Sequence, residues 1–395
     1  MTKRIGLLTL PLHYNYGGTL QAAALYRVLT KDLDKEVVFL ERDNRQWRMS
    51  LSSRALIGSL THLPGLAAWR NRLVTVANWL PVGLRDKMLE RVDIALRDQR
   101  IRTHQPFVDR YLPERTGKLG STDEMAAAAQ RFGLDTLVVG SDQVWRLDYF
   151  PSDAEEDYFF GFAPSPAIRK IAYAASFGHG TWTFPRHTAR TKELVAQFDA
   201  VSVREASGVE ICATVFDRRD AVHVIDPTLL VDPSFYQEIA GRRPTSSSKK
   251  AFLSYVLDVE PERQKLARDV QASLGPGYNH RSLTLDTGSK TIDIPEWLRA
   301  FMLADFVLTD SFHGTVFSII FRKPFISIVN KNRGADRFLS LAGQLGLENR
   351  LIFSTDTTGL RQAALTPIDF SMVEKRLESL RRSSFDFLSE AVQVK

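Results

Sequence analysis

Short apolar strands recur along this chain, and polar or glycine residues follow most of them before a helical pattern begins. Ile5–Leu10, Thr136–Val139, Lys170–Ala175, Ala200–Val203 and Phe306–Thr309 are the clearest examples. Most are apolar runs rather than polar–apolar alternations, which is typical of parallel strands covered by helices. Strands that alternate with helices predict a parallel α/β sheet with right-handed crossovers. In such sheets, ligands bind at the carboxyl ends of the strands.

A polar linker divides the chain into two α/β parts. Gly241–Lys250 is rich in Ser, Lys and Arg, and such a stretch is typical of a connection between domains. We predict an N-terminal Rossmann-like domain over residues 1–240, expected on the acceptor side of a cleft, and a C-terminal Rossmann-like domain over 251–367. A weak strand, Ser282–Leu285, is included in the second domain. The last stretch, 368–395, is predicted to be a helix that packs back on the body.

Positive charge is concentrated in one segment. The chain has a net charge of +6, and residues 42–118 contain 15 Lys or Arg against seven Asp or Glu. The apolar residues of this segment follow a helical pattern, which predicts a basic helical insertion in the first domain. Such a segment attracts anions. It has no recognised nucleic-acid-binding module, so no nucleic-acid partner is expected.

Several classes of protein are disfavoured by the sequence. Cys212 is the single cysteine, so no intramolecular disulfide can form, and we expect it to be a core residue. No run of about 18 apolar residues is present, and the first residues do not resemble a signal peptide. We therefore expect a cytoplasmic protein.

The common nucleotide and metal motifs are also missing. The loop His13–Thr19 contains two glycines but lacks the dinucleotide-binding fingerprint, and there is no phosphate-binding loop of the Gly-x-x-x-x-Gly-Lys type. No His or Cys residues have zinc spacing. No metal or tightly bound cofactor is expected, and the chemistry is predicted to depend on His, Arg, Asp and backbone N–H groups.

Three residues at strand ends are the first candidates for a site. His313 follows a buried strand at the start of a helix, where free N–H groups attract anions and an imidazole can transfer a proton; the alternative is a helix cap. Arg204 could bind a phosphate or carboxylate, or could form a structural pair with Glu205. Asp142 could orient or deprotonate a hydroxyl, or could cap the next segment.

Six motifs occur in an order that resembles the polysaccharide pyruvyltransferase family. They are Asn15–Gln21, Gly140–Trp145, Tyr173–Gly178, Ser202–Glu205, Asp226–Leu230 and Asp310–Gly314. The resemblance extends from about Gly6 to Val329, and the basic segment falls outside it. It implies a GT-B-like fold of two Rossmann-like domains. It also implies a transferase that moves a pyruvyl group from phosphoenolpyruvate to sugar hydroxyls as a ketal, in the synthesis of an exopolysaccharide or another cell-surface glycan.

The resemblance also implies roles for individual residues. His313 would protonate the enol, and Asp142 or Asp310 would assist the sugar hydroxyl, so these three are the predicted catalytic residues. Many members have Ser-Arg-Leu-His where this chain has Asp310–His313, and the missing arginine could be replaced by Lys331, Arg333 or Arg337. The predicted substrate-binding residues are Asn15, Tyr16, Gly17, Gly18, Ser141, Arg204, Ser311, Gly314 and Arg337.

Two other functions stay open from the sequence alone. A GT-B glycosyltransferase that uses a sugar nucleotide would need a base-stacking and ribose-binding site in the second domain. A non-catalytic protein that binds anionic glycans would use the basic segment alone. The acceptors of the family are often lipid-linked oligosaccharides at the inner membrane face, so residues 42–118 are expected either to cap the cleft or to contact an anionic membrane.

Overall fold

Two parallel sheets form the framework of this protein. The computed structural model describes residues 4–12, 15–43, 98–99, 101–241, 250–258, 260–284, 292–329, 334–353 and 359–393. Within these ranges every pair of neighbouring strands is parallel. The two sheets, with helices between their strands, confirm the predicted α/β class of two Rossmann-like, GT-B-like units.

The first sheet has the strand order β3-β2-β1-β4-β5-β6-β7. Its strands are β1 (Arg4–Leu8), β2 (Glu36–Arg42), β3 (Arg115–Leu119), β4 (Leu134–Gly140), β5 (Arg169–Ala175), β6 (Ala200–Val203) and β7 (Val222–His223). The second sheet has the order β12-β11-β10-β8-β9. Its strands are β8 (Lys250–Tyr255), β9 (Tyr278–Leu283), β10 (Phe306–Thr309), β11 (Phe325–Val329) and β12 (Leu351–Phe353).

Helices connect the strands of both sheets. Residues 4–241 are called the first part of the chain here, and residues 250–393 the second part. Those of the first part are α1 (Tyr16–Arg27), α2 (101–111), α3 (Thr122–Arg131), α4 (Thr188–Val195), α5 (Ala206–Val215), α6 (Pro227–Leu230) and α7 (Pro233–Ala240). Those of the second part are α8 (Pro261–Leu274), α9 (Ile294–Leu303), α10 (Phe312–Ile320), α11 (Ala335–Leu345), α12 (Leu360–Leu365) and α13 (Phe370–Val392). A π-helical turn, Val28–Asp32, continues α1, and short 3₁₀ helices cover Leu147–Tyr149, Glu155–Phe159, Pro185–His187 and Glu348–Arg350.

Each sheet has a point at which the strand order reverses. In the first sheet the reversal lies between β1 and β4, and in the second between β10 and β8. The loops that follow neighbouring strands diverge at such a point and leave a crevice, where ligands of open α/β sheets bind. The loops after β1, β4 and β10 carry three of the motifs identified in the sequence.

The predicted basic insertion over residues 42–118 needs a correction at both ends. Arg42 is the last residue of β2, and its buried guanidinium pairs with Asp157 at 2.6 Å. Arg115–Leu119 is the edge strand β3, paired in parallel with β2. Between them, residues 101–111 form α2, whereas residues 44–97 lie outside the described part of the chain, so a helical insertion there stays a prediction.

The two sheets are joined through a common hydrophobic core. One buried cluster extends from Leu20 and Leu25 on α1 to Trp297 and Phe301 on α9. The last helix, α13, returns to the first part of the chain, where Ser384 accepts from the backbone N–H of Ile225 at 3.1 Å. In the residues described, no helix is both long and apolar enough to cross a membrane.

Candidate active site

Polar residues of the first sheet meet beyond the carboxyl ends of its strands. Ser141 and Asp142 follow β4, Arg204 follows β6, and Asp226 lies shortly after β7. Nη1 of Arg204 donates to Oδ2 of Asp226 at 2.6 Å, and its Nη2 donates to Oδ1 of Asp142 at 3.4 Å. The Ser141 hydroxyl donates to the same Asp226 oxygen at 3.1 Å. All four residues are buried, so the Arg204 guanidinium is held between two carboxylates. These four residues, with the His313, Phe312 and Arg337 side chains described next, are called the charged cluster.

His313 reaches this network from the second sheet. It lies in the first turn of α10, which begins directly after β10, and Ser311 caps that helix by accepting from the N–H of Gly314 at 3.3 Å. Nε2 of His313 lies 3.6 Å from Oδ2 of Asp226, an ion-pair distance that is too long for a hydrogen bond. Among the described residues, this nitrogen has no hydrogen-bond partner. The nitrogen therefore contacts the cluster at Asp226 and can still form a hydrogen bond with a ligand.

Gly17 allows the two sheets to approach each other at His313. A Cβ atom placed on Gly17 would lie 2.2 Å from both Cγ and Nδ1 of His313. Any larger residue would displace the imidazole or separate the two elements. The first turn of α1 is thus the other wall of the space around His313.

Arg337 supplies a second guanidinium from the second part of the chain. It lies near the start of α11, and its Nη1 is 3.6 Å from Oδ1 of Asp142. Both arginines also contact the ring of Phe312, with Cζ of Arg204 at 4.6 Å and Cζ of Arg337 at 5.2 Å from its centroid. Burial and the neighbouring charge of Arg204 lower the pKa of Arg337. The arrangement brings two positive charges to one side of the cluster.

The charges of the cluster determine the protonation of its carboxyl groups. Burial alone would raise the pKa of Asp142, but nearby positive charges, chiefly that of Arg204, lower it. Burial also opposes the ionisation of Asp226, whereas His313 and Arg204 lower its pKa. Both groups are therefore ionised near neutral pH, and such carboxylates are weak bases. For Asp142, this supports orientation of the arginines rather than deprotonation of a hydroxyl.

Asp310, predicted to be catalytic, does not join the cluster. Its carboxylate accepts from the backbone N–H of Leu257 at 2.7 Å and of Asp258 at 3.2 Å, and it forms an ion pair with Arg263. These contacts occupy both oxygens and direct the side chain toward the loop after β8. We therefore revise its role from a proton acceptor to a group that fixes this loop.

Most of the predicted substrate-binding residues surround the cluster without offering free side chains to it. Asn15 caps α1 by accepting from Gly18, and a Cβ on Gly18 would lie 3.5 Å from Oδ2 of Asp142. Tyr16 is buried between the two sheets, where its hydroxyl donates to the carbonyl of Ile292 at 2.9 Å. The N–H of Gly314 is used by the Ser311 cap. Lys331 and Arg333, the alternatives to Arg337, lie outside the described residues.

Two residues of the cluster were not selected from the sequence. Asp226 belongs to the motif Asp226–Leu230. Its position between a strand and Pro227 could have indicated a site residue. Phe312 occupies a position where many family members have leucine, but nothing in its spacing indicated that two arginines contact its ring. Within the described ranges, no group of three or more His, Cys, Asp or Glu side chains is arranged to hold a metal ion.

Comparisons with known proteins point to one family. A family model described as polysaccharide pyruvyl transferase matches residues 15–332. No curated protein matches the sequence.

Among solved structures, the chain is similar to a UDP-GlcNAc 2-epimerase of Methanocaldococcus jannaschii, with 11% identity, coverage of 96% and 92% of the two chains, and a TM-score of 0.44. It is also similar to a UDP-GlcNAc 2-epimerase of Neisseria meningitidis, with 9% identity, 99% coverage of both chains and a TM-score of 0.45. Acinetobacter baumannii MurG has 8% identity, 99% coverage of both chains and a TM-score of 0.41.

Proposed function

The chain belongs to the polysaccharide pyruvyl transferase family, and we propose that it transfers a pyruvyl group from phosphoenolpyruvate to two hydroxyls of a sugar as a ketal. The product would be part of an exopolysaccharide or another cell-surface glycan. The observation that carries this proposal is the position of His313. Its Nε2 lies 3.6 Å from the Asp226 carboxylate, which also accepts from Arg204, and this nitrogen forms no hydrogen bond with the described residues.

The donor has two anionic groups, and the cluster has two guanidinium groups that suit them. Arginine binds carboxylates and phosphates through paired N–H donors, and it does so best where water is excluded. Arg204 and Arg337 are both buried. We assign them to the carboxylate and phosphate of phosphoenolpyruvate, with Asp142 and Asp226 as the counter-charges that hold them in place when the donor is absent.

The proposed reaction begins with proton transfer from His313 to the methylene carbon of phosphoenolpyruvate. The central carbon becomes cationic, and a sugar hydroxyl adds to it. The neutral imidazole then accepts the proton of that hydroxyl. The C–O bond to phosphate breaks, a second hydroxyl closes the ring, and its proton leaves with phosphate. One imidazole thus gives one proton to carbon and takes another from the sugar hydroxyl, so no separate carboxylate base is required.

Acceptor-dependent phosphate release from phosphoenolpyruvate tests this function. His313→Gln should lower the rate by roughly 100- to 10,000-fold, the usual contribution of general acid–base catalysis, while the fold is retained. His187→Gln is the matched control, because His187 lies in a 3₁₀ helix and its side chain is 44% exposed. Its rate should stay at the wild-type level. Equal rates for the two variants would contradict the role of His313.

We also propose that the enzyme acts in the cytoplasm on a lipid-linked acceptor at the inner membrane face. The basic composition of residues 42–118 supports this, since clustered Lys and Arg attract anionic lipid headgroups. Flotation of the protein with anionic vesicles, compared with neutral ones, tests the contact. Equal flotation with both would count against it.

A further inference from the structure

A second cavity lies outside the charged cluster. It has a volume of about 230 Å³ and lies between the start of α1, the end of β9 and the first turn of α9. Its apolar wall is aromatic and is formed by Tyr16, Tyr255 and Trp297. Its polar wall contains Arg281 and Glu296.

Two contacts connect this cavity to His313. Tyr16 is the chain neighbour of Gly17, whose Cα lies against the imidazole. On the other side, a Cβ on Gly314 would lie 3.1 Å from Cδ1 of Tyr255. Two lining residues of the cavity, Tyr16 and Tyr255, thus adjoin the glycines next to His313. A ligand bound there could present a group to the same reacting carbon.

The aromatic wall is rigid. The rings of Tyr16 and Trp297 are stacked, with centroids 5.5 Å apart and planes inclined by 8°, and Tyr255 meets Trp297 edge to face at 5.4 Å. All three residues are buried. The wall is therefore fixed and presents only a small apolar surface to the cavity, which suits the C–H groups of a single sugar ring.

The polar wall is an ion pair, so its positive and negative charges cancel. Nη2 of Arg281 and Oε1 of Glu296 are 2.9 Å apart, and both side chains are partly exposed to solvent. A carboxylate accepts hydrogen bonds from hydroxyls and a guanidinium donates to them, so the pair can bind neighbouring hydroxyl groups. Because the opposite charges balance, the pair does not favour an anion. The charged cluster around Arg204 therefore suits the donor better than this cavity does.

We propose that this cavity binds the pyruvylated sugar of the acceptor, as one neutral pyranose ring. Its volume is below the roughly 300–1,000 Å³ of pockets that enclose drug-sized ligands, which fits a single ring rather than a sugar nucleotide. The inference rests on the proposed function. It moves the acceptor from the N-terminal domain, where the sequence led us to expect it, to the junction of α1 with the second sheet.

Steady-state kinetics of Glu296→Gln and Arg281→Gln test the inference with an acceptor that supports phosphate release. Each change should raise the KM for that acceptor roughly tenfold or more, as expected for the loss of a hydrogen bond to a charged group. The KM for phosphoenolpyruvate should stay within about twofold, since the donor contacts are elsewhere. Thermal unfolding should be unchanged, because the pair is partly exposed.

Glu156→Gln and Arg190→Gln are the matched controls. These residues form an exposed Arg–Glu pair at 2.8 Å in the first part of the chain, and their loss should leave both KM values unchanged. An unchanged acceptor KM in Glu296→Gln and Arg281→Gln, with an active wild-type enzyme, would overturn only the acceptor site. A wild-type enzyme that releases phosphate with none of a panel of neutral and anionic glycans would overturn the proposed function, and this inference with it.

Discussion

Gly17 determines how closely α1 approaches His313. The imidazole occupies the space that a side chain at this position would fill. Gly17→Ala would therefore force the ring or the helix to move by more than an ångström, and catalytic groups tolerate little misplacement. We expect at least a tenfold loss of phosphate release.

Gly343→Ala is the control for this prediction. Gly343 lies within α11, and a Cβ there would meet no atom within 4 Å. This change should preserve activity and stabilise the helix by up to about 1 kcal/mol. Similar activities of the two variants would show that the contact between Gly17 and His313 does not matter for the reaction.

Asp226 is expected to control stability in acid. Its pKa is lowered in the folded protein, so its ionised form stabilises the fold above about pH 4, the usual pKa of an aspartate, and that stability is lost as the pH falls further. Asp226→Asn breaks a buried ion pair and should cost about 3–5 kcal/mol at pH 7. The difference from wild type should shrink below pH 4, measured by urea unfolding from pH 3 to 7.

Asp123→Asn provides the reference for that series. Asp123 is exposed in the first turn of α3, and its replacement should change stability by no more than about 0.5 kcal/mol. If Asp226→Asn lost the same free energy of unfolding at every pH from 3 to 7, Asp226 would not be ionised in the folded protein as described above.

Several residues of the cluster could be predicted because they follow strands. Asp142, Arg204 and His313 all lie at strand ends, and parallel strands bring such ends to one edge. The direction of a side chain could not be predicted in this way. Asp310 also follows a strand, yet it turns toward Arg263 and the loop after β8. The contacts that decide this are between residues distant in the sequence.

The capped start of α10 is the element that holds His313 in place. Ser311→Ala removes a cap and should cost about 1 kcal/mol of stability. Because His313 lies in the first turn, the frayed helix should also lower activity several-fold. Thermal unfolding and phosphate release measure the two effects separately.

Ser121→Ala is a matched cap removal in the first part of the chain, far from α10 in the sequence. Ser121 caps α3 by accepting from the N–H of Glu124 at 3.2 Å. It should cost a similar amount of stability and leave activity unchanged. If both variants lost activity equally, the effect would come from general destabilisation rather than from the position of His313.

Central strands were predictable from the sequence, whereas the edge strands β3 and β9 were missed or misplaced. β6 and β10 have the predicted limits because they are buried apolar runs. β3 reads Arg-Thr-Gly-Lys-Leu and was assigned to the basic insertion, and β9 begins at Tyr278 rather than Ser282. Both are edge strands with exposed polar residues, so they lack the apolar run on which the prediction depends.

At the scale of the whole molecule, the candidate active site lies where the crevices of the two sheets meet. The first sheet supplies two carboxylates and one arginine, and the second supplies His313 and Arg337. The existence of two α/β units could be predicted from the linker and the repeated strand–helix pattern. Their contact could not be, because it depends on Tyr16 stacking on Trp297 across the junction, and no local pattern encodes such a pair.

The account's central claim is that His313 protonates the donor methylene before a ketal forms. The direct measurement is to run the reaction with phosphoenolpyruvate in D₂O and to examine the product by NMR and mass spectrometry. The claim predicts a ketal whose methyl group carries one deuterium, at a rate that His313→Gln reduces sharply. A product that keeps the methylene as an enol ether, or a deuterated ketal formed equally fast by His313→Gln, would contradict it.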